Sequence, residues 1–217
     1  MNLVLFDLDN TLLSGDTDVE WLEFLIERGI LPQSAQHENL EMDRRYRSGQ
    51  ADAREYVRFY LRFYPPHSMA SLLSLREKFI ATRIEPRMLP AARALVQENK
   101  QNLVAIITAT NRFLTEPIAA DFGIGHLMAT EPQIREGRFT GDIVGAPCMR
   151  EGKIEHLERW MAQRGQRLDQ FGETWFYSDS INDLPLLERV THPVAVDASP
   201  KLADVARERG WRTLSLR

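Results

Sequence analysis

The sequence predicts an α/β fold: a mostly parallel, Rossmann-like sheet with helices on both faces, carrying one inserted all-helical domain. Two observations carry this expectation. From residue 86 onward, short apolar runs alternate with stretches of helical spacing, the pattern of successive strand and helix units. A lone apolar run at residues 3–6 is separated from that series by residues 16–85, where only helical spacing recurs. Residues 1–15 and 86–217 therefore form one α/β core, and residues 16–85 form a domain inserted into it.

The elements follow in order. Residues 3–6 are a buried strand, with Asp7 directly after it. In the insert, Trp21, Leu22, Leu25 and Ile26 recur at helical spacing, then Tyr56, Val57, Tyr60, Leu61 and Tyr64, then Leu72, Leu75, Phe79 and Ile80. Pro32 and the Pro65-Pro66 pair break these stretches, which gives about four helices and no strand. Residues 91–100 are a helix, 103–107 a strand ending at Thr108, and 113–122 a helix. Residues 131–144 hold Arg135-Glu136-Gly137-Arg138 between extended runs, which predicts a hairpin. A helix over 153–164 carries Ile154, Leu157, Trp160 and Met161 on one face. The strand at 175–177 runs into Ser178-Asp179, and a short helix covers 184–190. A strand at 194–196 ends at Asp197, a helix spans 201–209, and a last strand lies within 211–216.

Composition narrows the function. The chain has 217 residues, 43% of them apolar, enough for a core domain and a smaller insert. A net charge of -4 without a basic bias argues against nucleic-acid binding. The single cysteine, Cys148, has no partner for an internal disulfide, and the N-terminal residues show no basic leader. No run is long enough for a membrane span. The expectation is a cytoplasmic protein, without membrane attachment, as a monomer or homodimer.

Several strands end in a polar residue that a core would not choose: Asp7, Thr108, Asp179 and Asp197. In an open α/β sheet, ligands bind outside the carboxyl ends of the strands, so these side chains converge if the strands are parallel neighbours. Clustered carboxylates repel one another unless a cation joins them. Oxygen ligands suit Mg²⁺, which bridges carboxylates to phosphate, and nothing in the pattern of histidines or cysteine suits zinc. A carboxylate attacking phosphorus would give an aspartyl-phosphate, helped by a lysine such as Lys153. Asp9, two residues past Asp7, points to the same side and fits proton transfer. Thr108 offers a hydroxyl, and the amides after it, starting at Ala109, are expected to open a helix where anions bind.

At this point four segments resemble the haloacid dehalogenase-like superfamily, on its phosphatase branch. They are Asp7-Leu8-Asp9-Asn10-Thr11, then Ile106-Ile107-Thr108, then Lys153 in Glu151-Gly152-Lys153, then Ser178-Asp179-Ser180-Ile181-Asn182-Asp183. Their order and their spread over the core match the family. The resemblance implies that Asp7 is the nucleophile and Asp9 the general acid and base. It implies that Mg²⁺ is held by Asp7, Asp179 and the backbone carbonyl of Asp9. Thr108 and Lys153 would bind the phosphoryl group, Asp183 would orient Lys153 or a metal-bound water, and Asn182 would sit beside it.

The insert occupies the position of the C1-type helical cap, and the chain is similar to the phosphoserine phosphatase-like group. That similarity implies a small phosphorylated metabolite as substrate. Asp16 falls where phosphoserine phosphatases carry a glutamate for the substrate ammonium. Tyr60 falls where they place an arginine for the carboxylate, and Ala53 where they place an aromatic. Arg58 lies nearby but on another side of a helix. A retained acid and a lost arginine favour an amine-bearing substrate such as histidinol phosphate over phosphoserine. A phosphomutase, a lipid head-group phosphatase and a non-catalytic phosphate sensor are the competing readings of the same site. Plainer roles also stand: Thr108 as a helix cap, Asp16 as a first-turn acid, Asp197 as a cap or a neighbour of Lys153. Arg44, Arg45 and Arg47 read as a solvated helix face, with an anion clamp as the alternative.

Overall fold

The computed structural model describes residues 1–217. Strand β1 (Leu3–Phe6) is followed by four helices: α1 (Thr17–Glu27), α2 (Ser34–Arg47), α3 (Ala53–Leu61) and α4 (Met69–Phe79). Then come α5 (Pro90–Glu98), β2 (Leu103–Asn111), α6 (Arg112–Asp121), β3 (Leu127–Arg135) and β4 (Arg138–Val144). The chain ends with α7 (Glu151–Gln163), β5 (Thr174–Ser178), α8 (Leu184–Leu187), β6 (His192–Val196), α9 (Pro200–Arg209) and β7 (Arg212–Leu214).

The seven strands form one sheet in the order β4-β3-β2-β1-β5-β6-β7. Only the β3–β4 hairpin pair is antiparallel. β1 lies at the centre, and all four of its residues are fully buried, as expected for a strand covered on both faces. Alternate side chains go to opposite sides. Leu3 and Leu5 join Leu157, Met161, Leu187 and Leu202 on one face. Val4 and Phe6 join Ala92, Val96, Leu114 and Ile118 on the other. This second cluster continues into the insert through Trp21, Phe24, Leu61, Tyr64 and Phe79. Cap and core thus share apolar packing as well as covalent linkers. No helix is long and apolar enough to cross a membrane.

The insert leaves and rejoins the core at one place. Ser14 N donates to Arg87 O at 2.9 Å, and Leu13 bridges Met88. The return path passes through a π-helical turn, Ile80–Ile84, of a kind often found where helices serve function. One boundary differs from the sequence expectation. β2 does not stop before Thr108 but continues to Asn111, with a register shift against β3 after Ile107. Thr130 Oγ1 donates to Ala109 O at 2.7 Å across that irregular stretch. Asn111, not Thr108, caps α6 by accepting from Leu114 N. The amide of Ala109 therefore lies in an extended strand end and not at a helix N-terminus.

Candidate active site

Register places the reactive groups. Phe6 pairs with Ile106 on one side and Tyr177 on the other, so the residues just beyond them emerge together at the carboxyl edge of the sheet. There Lys153 Nζ donates to Asp7 Oδ1 and to Asp183 Oδ2, both at 2.7 Å. All three side chains are buried, Lys153 being 2% exposed. Asp183 also accepts from Ser178 Oγ at 2.7 Å, which fixes its orientation. Thr11 Oγ1 lies 3.4 Å from Asp7 Oδ2 and 3.3 Å from Asp179 Oδ1, and accepts from Asp179 N at 3.1 Å. Its single proton cannot serve both carboxylates.

Asp9 is held from the other side. It accepts from Thr17 N at 2.8 Å, from Thr17 Oγ1, and from Thr110 Oγ1 at 2.7 Å. Thr110 Oγ1 is also 3.5 Å from Asp18 Oδ2, and Asn111 Nδ2 donates to Asp18 Oδ1 at 3.3 Å. Thr108 is 1% exposed. Its oxygen accepts from Thr110 N at 3.3 Å, which leaves its own hydroxyl proton uncommitted.

These contacts set the charges. Burial pushes the Asp7 carboxyl up to about 7, against the pull of the Lys153 ammonium. Burial raises Asp9 to about 6, helped by the charge of Asp16 and opposed by the Thr17 and Thr110 hydrogen bonds. Asp179 rises to about 8 through burial and the charges of Asp7 and Asp183. Burial alone would lower Lys153, but Asp183 and Asp7 outweigh it and keep the ammonium charged. The site is a set of desolvated carboxylates with too little positive charge. That is what a cation-binding site looks like before its cation. Nowhere do three His, Cys, Asp or Glu side chains close around one point. Two carboxylates, Asp7 and Asp179, share one hydroxyl here. Such an open oxygen-only pair suits Mg²⁺ and not a caged metal.

The structure corrects several expectations. Asp197 neither caps a helix nor approaches Lys153. It accepts from Ser215 Oγ at 2.6 Å and from Leu216 N at 3.0 Å, tying down the C-terminal segment. Arg58 is committed to Asp142 on β4, so it does not stand in for a substrate-binding arginine. The Tyr60 hydroxyl donates to Asn39 Oδ1 at 2.7 Å inside the cap. The side chain of Asn182 makes no hydrogen bond within the protein; only its amide is used, donating to Ser180 Oγ at 3.2 Å. Asp16 is the N-cap of α1, accepting from Val19 N at 3.0 Å, and has no basic partner. Arg44, Arg45 and Arg47 pair with Glu41, Glu55 and Asp43, as a solvated face does.

Thr17, Asp18, Thr110 and Asn111 were not read as site residues from the sequence, and Thr11 and Ser178 stood in their motifs without a role. Thr11 closes the first motif, and Thr110 repeats the side of Thr108 two residues on. Both signals were present. Only the fold gives Thr17 and Ser178 their partners.

Comparison with known proteins bears on the family and the fold. The family model described as haloacid dehalogenase-like hydrolase matches residues 4–188. A histidinol-phosphatase of Neisseria meningitidis serogroup C is 37% identical over 220 residues, covering 100% of this chain and 99% of the relative. A Bordetella pertussis Tohama I protein of unknown function superposes with a TM-score of 0.95 at 41% identity, covering 100% of this chain and 99% of the other. A substrate-bound phosphoserine phosphatase shares the fold, with a TM-score of 0.70 at 18% identity over 99% and 92% of the two chains.

Proposed function

We propose that this chain, which belongs to the haloacid dehalogenase-like hydrolase family and is a phosphatase, cleaves a small amine-bearing phosphomonoester through an aspartyl-phosphate on Asp7. The observation that carries the reading is the buried chain Asp7–Lys153–Asp183, with Asp179 joined to Asp7 through Thr11. A surface ion pair has no reason to be desolvated in this way; a phosphoryl-transfer floor does.

In the first half-reaction an Asp7 carboxylate oxygen attacks phosphorus and the bond to the leaving oxygen breaks. Asp9 gives its proton to that oxygen. In the second half, Asp9 takes a proton from water as the water oxygen attacks phosphorus. The bond to Asp7 breaks, releasing phosphate and restoring both carboxyls. A group titrating near 6 suits both tasks at neutral pH. Lys153 and the free hydroxyl proton of Thr108 face the phosphoryl oxygens, with the Ala109 amide and Asn182 beside them. Asp7, Asp179 and the Asp9 carbonyl are the groups that would hold Mg²⁺, which supplies positive charge to the phosphoryl oxygens.

Substrate choice rests on the cap. Asp16 and Asp18 face the site without a basic partner, while the candidate carboxylate binders, Arg58 and Tyr60, are engaged elsewhere. With Arg58 committed to Asp142, this acidic wall favours an amine-bearing ester that lacks a carboxylate. Histidinol phosphate is such an ester, and the name of the Neisseria relative points the same way. Assayed side by side with Mg²⁺, histidinol phosphate should exceed phosphoserine in kcat/KM by about tenfold or more, the scale set by an unpaired carboxylate. A preference for phosphoserine would overturn the substrate assignment. Asp7→Asn should cost more than about 10⁴-fold with any ester, and retained turnover would overturn the mechanism.

A further inference from the structure

The loop before α7 is built with unusual constraint. Arg150 sits at φ 52°, ψ -127°, a backbone conformation that side chains other than glycine resist. Two residues on, a Cβ on Gly152 would lie 2.0 Å from Pro147 O, so no other residue fits there. The loop is pinned from outside as well. Cys148 N donates to Thr130 Oγ1 at 3.0 Å, and His156 Nε2 lies 2.9 Å from Ala146 O. A strained residue held by several anchors is a place where the aim of a side chain has been fixed.

Arg150 is aimed across the seam between core and cap. Its guanidinium lies 4.8 Å from the ring centroid of Tyr46 in α2, and it pairs with no carboxylate. Tyr46 is 6% exposed, yet its hydroxyl has no hydrogen-bond partner. Burial raises that phenol, and the Arg150 guanidinium beside it lowers it. The guanidinium and the phenol, one from each domain, thus face each other at the seam with no acceptor oxygen from any other residue, on the loop that leads into Lys153. A buried hydroxyl left without a partner is costly, and a ligand that accepts from it removes the cost.

The charges point to the same ligand. Asp7, Asp179 and Asp183 place three negative charges against the one positive charge of Lys153. A divalent cation brings that set to neutrality, and a phosphate dianion makes it negative again. Arg150, three residues before Lys153 on the loop that opens α7, is an unpaired cation.

We propose that Arg150 and Tyr46 bind an oxygen of the same phosphoryl group that Lys153 receives, one from the core and one from the cap. This rests on the phosphatase reading above. It adds that the anion site is complete only when the cap stands over the core, so that α2 reads the phosphate and not only the leaving group.

The probe is inorganic phosphate, used with the Mg²⁺-loaded full chain as a competitive inhibitor and as a ligand in thermal denaturation. Arg150→Ala should weaken phosphate inhibition about tenfold, the scale of one charge-assisted hydrogen bond, with an unchanged melting temperature in the absence of phosphate. It should raise KM by a similar factor for an aryl phosphate and for an amine-bearing ester. Arg150→Lys should recover part of the loss. Tyr46→Phe should weaken phosphate about threefold, and the double variant should lose less than the product of the two, because the groups share one ligand. If phosphate inhibition and the phosphate-induced thermal shift of Arg150→Ala both stay within twofold of the wild type, the proposal is wrong, even if the amine-bearing ester suffers. That pattern would make Arg150 a leaving-group contact. A wild-type chain that releases phosphate from no ester would instead overturn the phosphatase reading, and the thermal shift would still judge Arg150.

Discussion

The floor of the site and its roof are held in different ways. On the floor, Lys153 reaches carboxylates 146 and 30 residues away in the chain, and Thr11 reaches Asp179 across 168. In the roof, Arg44 and Arg47 bind acids three and four residues away in their own helix. The floor is made by strand register, so its geometry depends on the whole sheet. These exposed pairs of the roof stay within the cap, so their residues can change without disturbing the sheet. That difference separates chemistry, fixed in the core, from substrate choice, carried by the cap and by the few groups that cross the seam.

The largest test of the comparison removes the ion at the centre of the floor. Lys153→Met keeps the length of the side chain but leaves Asp7 and Asp183 buried without a counter-charge. Breaking a buried pair this way costs about 3–5 kcal/mol. For a chain of this size that corresponds to a fall in melting temperature of roughly 10 °C. Turnover should fall by more than about 10³-fold, since the phosphoryl group also loses its cation. An exchange of similar size in the roof, Arg44→Met, should change neither stability nor rate, because that pair is solvated. Differential scanning calorimetry and steady-state kinetics on both variants decide the matter. Equal effects at the two positions would erase the distinction between floor and roof.

A smaller effect separates positioning from proton transfer. Asp9→Asn preserves the oxygen that Thr17 N bonds, so the fold should stay intact. Loss of the proton donor should lower kcat by about 10²–10⁴-fold for an alkyl ester. The loss of the first half-reaction should be much less for a nitrophenyl ester, whose leaving group departs without a proton. Rapid-mixing measurements of nitrophenolate release would show this. An identical loss for both esters would mean that Asp9 acts by position alone.

These contrasts also explain what was legible in the sequence. Asp7, Thr108 and Asp179 stood out because a polar residue at the end of an apolar run is anomalous under the hydrophobic pattern alone. The helical insert was visible because its apolar spacing never drops to that of a strand. The signals at Thr11 and Thr110 were weak because threonine near a turn or at a strand end needs no special explanation. The extension of β2 past Thr108 was hidden for a related reason. Thr108, Ala109 and Thr110 have little apolar signal, and a side-chain bond from Thr130, 21 residues on from Ala109, meets the backbone there. The role of Arg58 was hidden because its partner, Asp142, is 84 residues away on a hairpin whose approach to the cap no local pattern reveals.

That Arg58–Asp142 contact is one place where roof and floor domains touch through charge, and it sets the smallest prediction. Arg58 donates to Asp142 through Nε at 2.8 Å, and Arg54 adds Nη1 to Asp142 Oδ1 at 3.3 Å. Arg54 also bonds Gly145 O. The pair ties α3 to β4 and so favours the closed cap. The groups are largely exposed, so Asp142→Asn should raise KM by less than about fivefold and leave the melting temperature nearly unchanged. Salt should reproduce the effect, because exposed pairs are screened at high ionic strength. The pH dependence has a definite sign. Hydrogen bonding from Arg58, then from the Ile143 amide, holds the Asp142 carboxyl well below the usual carboxylate range. A depressed carboxyl contributes fully above its unfolded pKa and loses its contribution only as pH falls through the folded value. Between pH 5 and 9 the ratio of wild-type to variant KM should therefore be flat, while 0.5 M salt should bring it close to one. A ratio that titrates in that range, or that ignores salt, would show that cap closure is governed by the apolar packing of Trp21, Tyr64 and Phe79 and not by the charged contact at its edge.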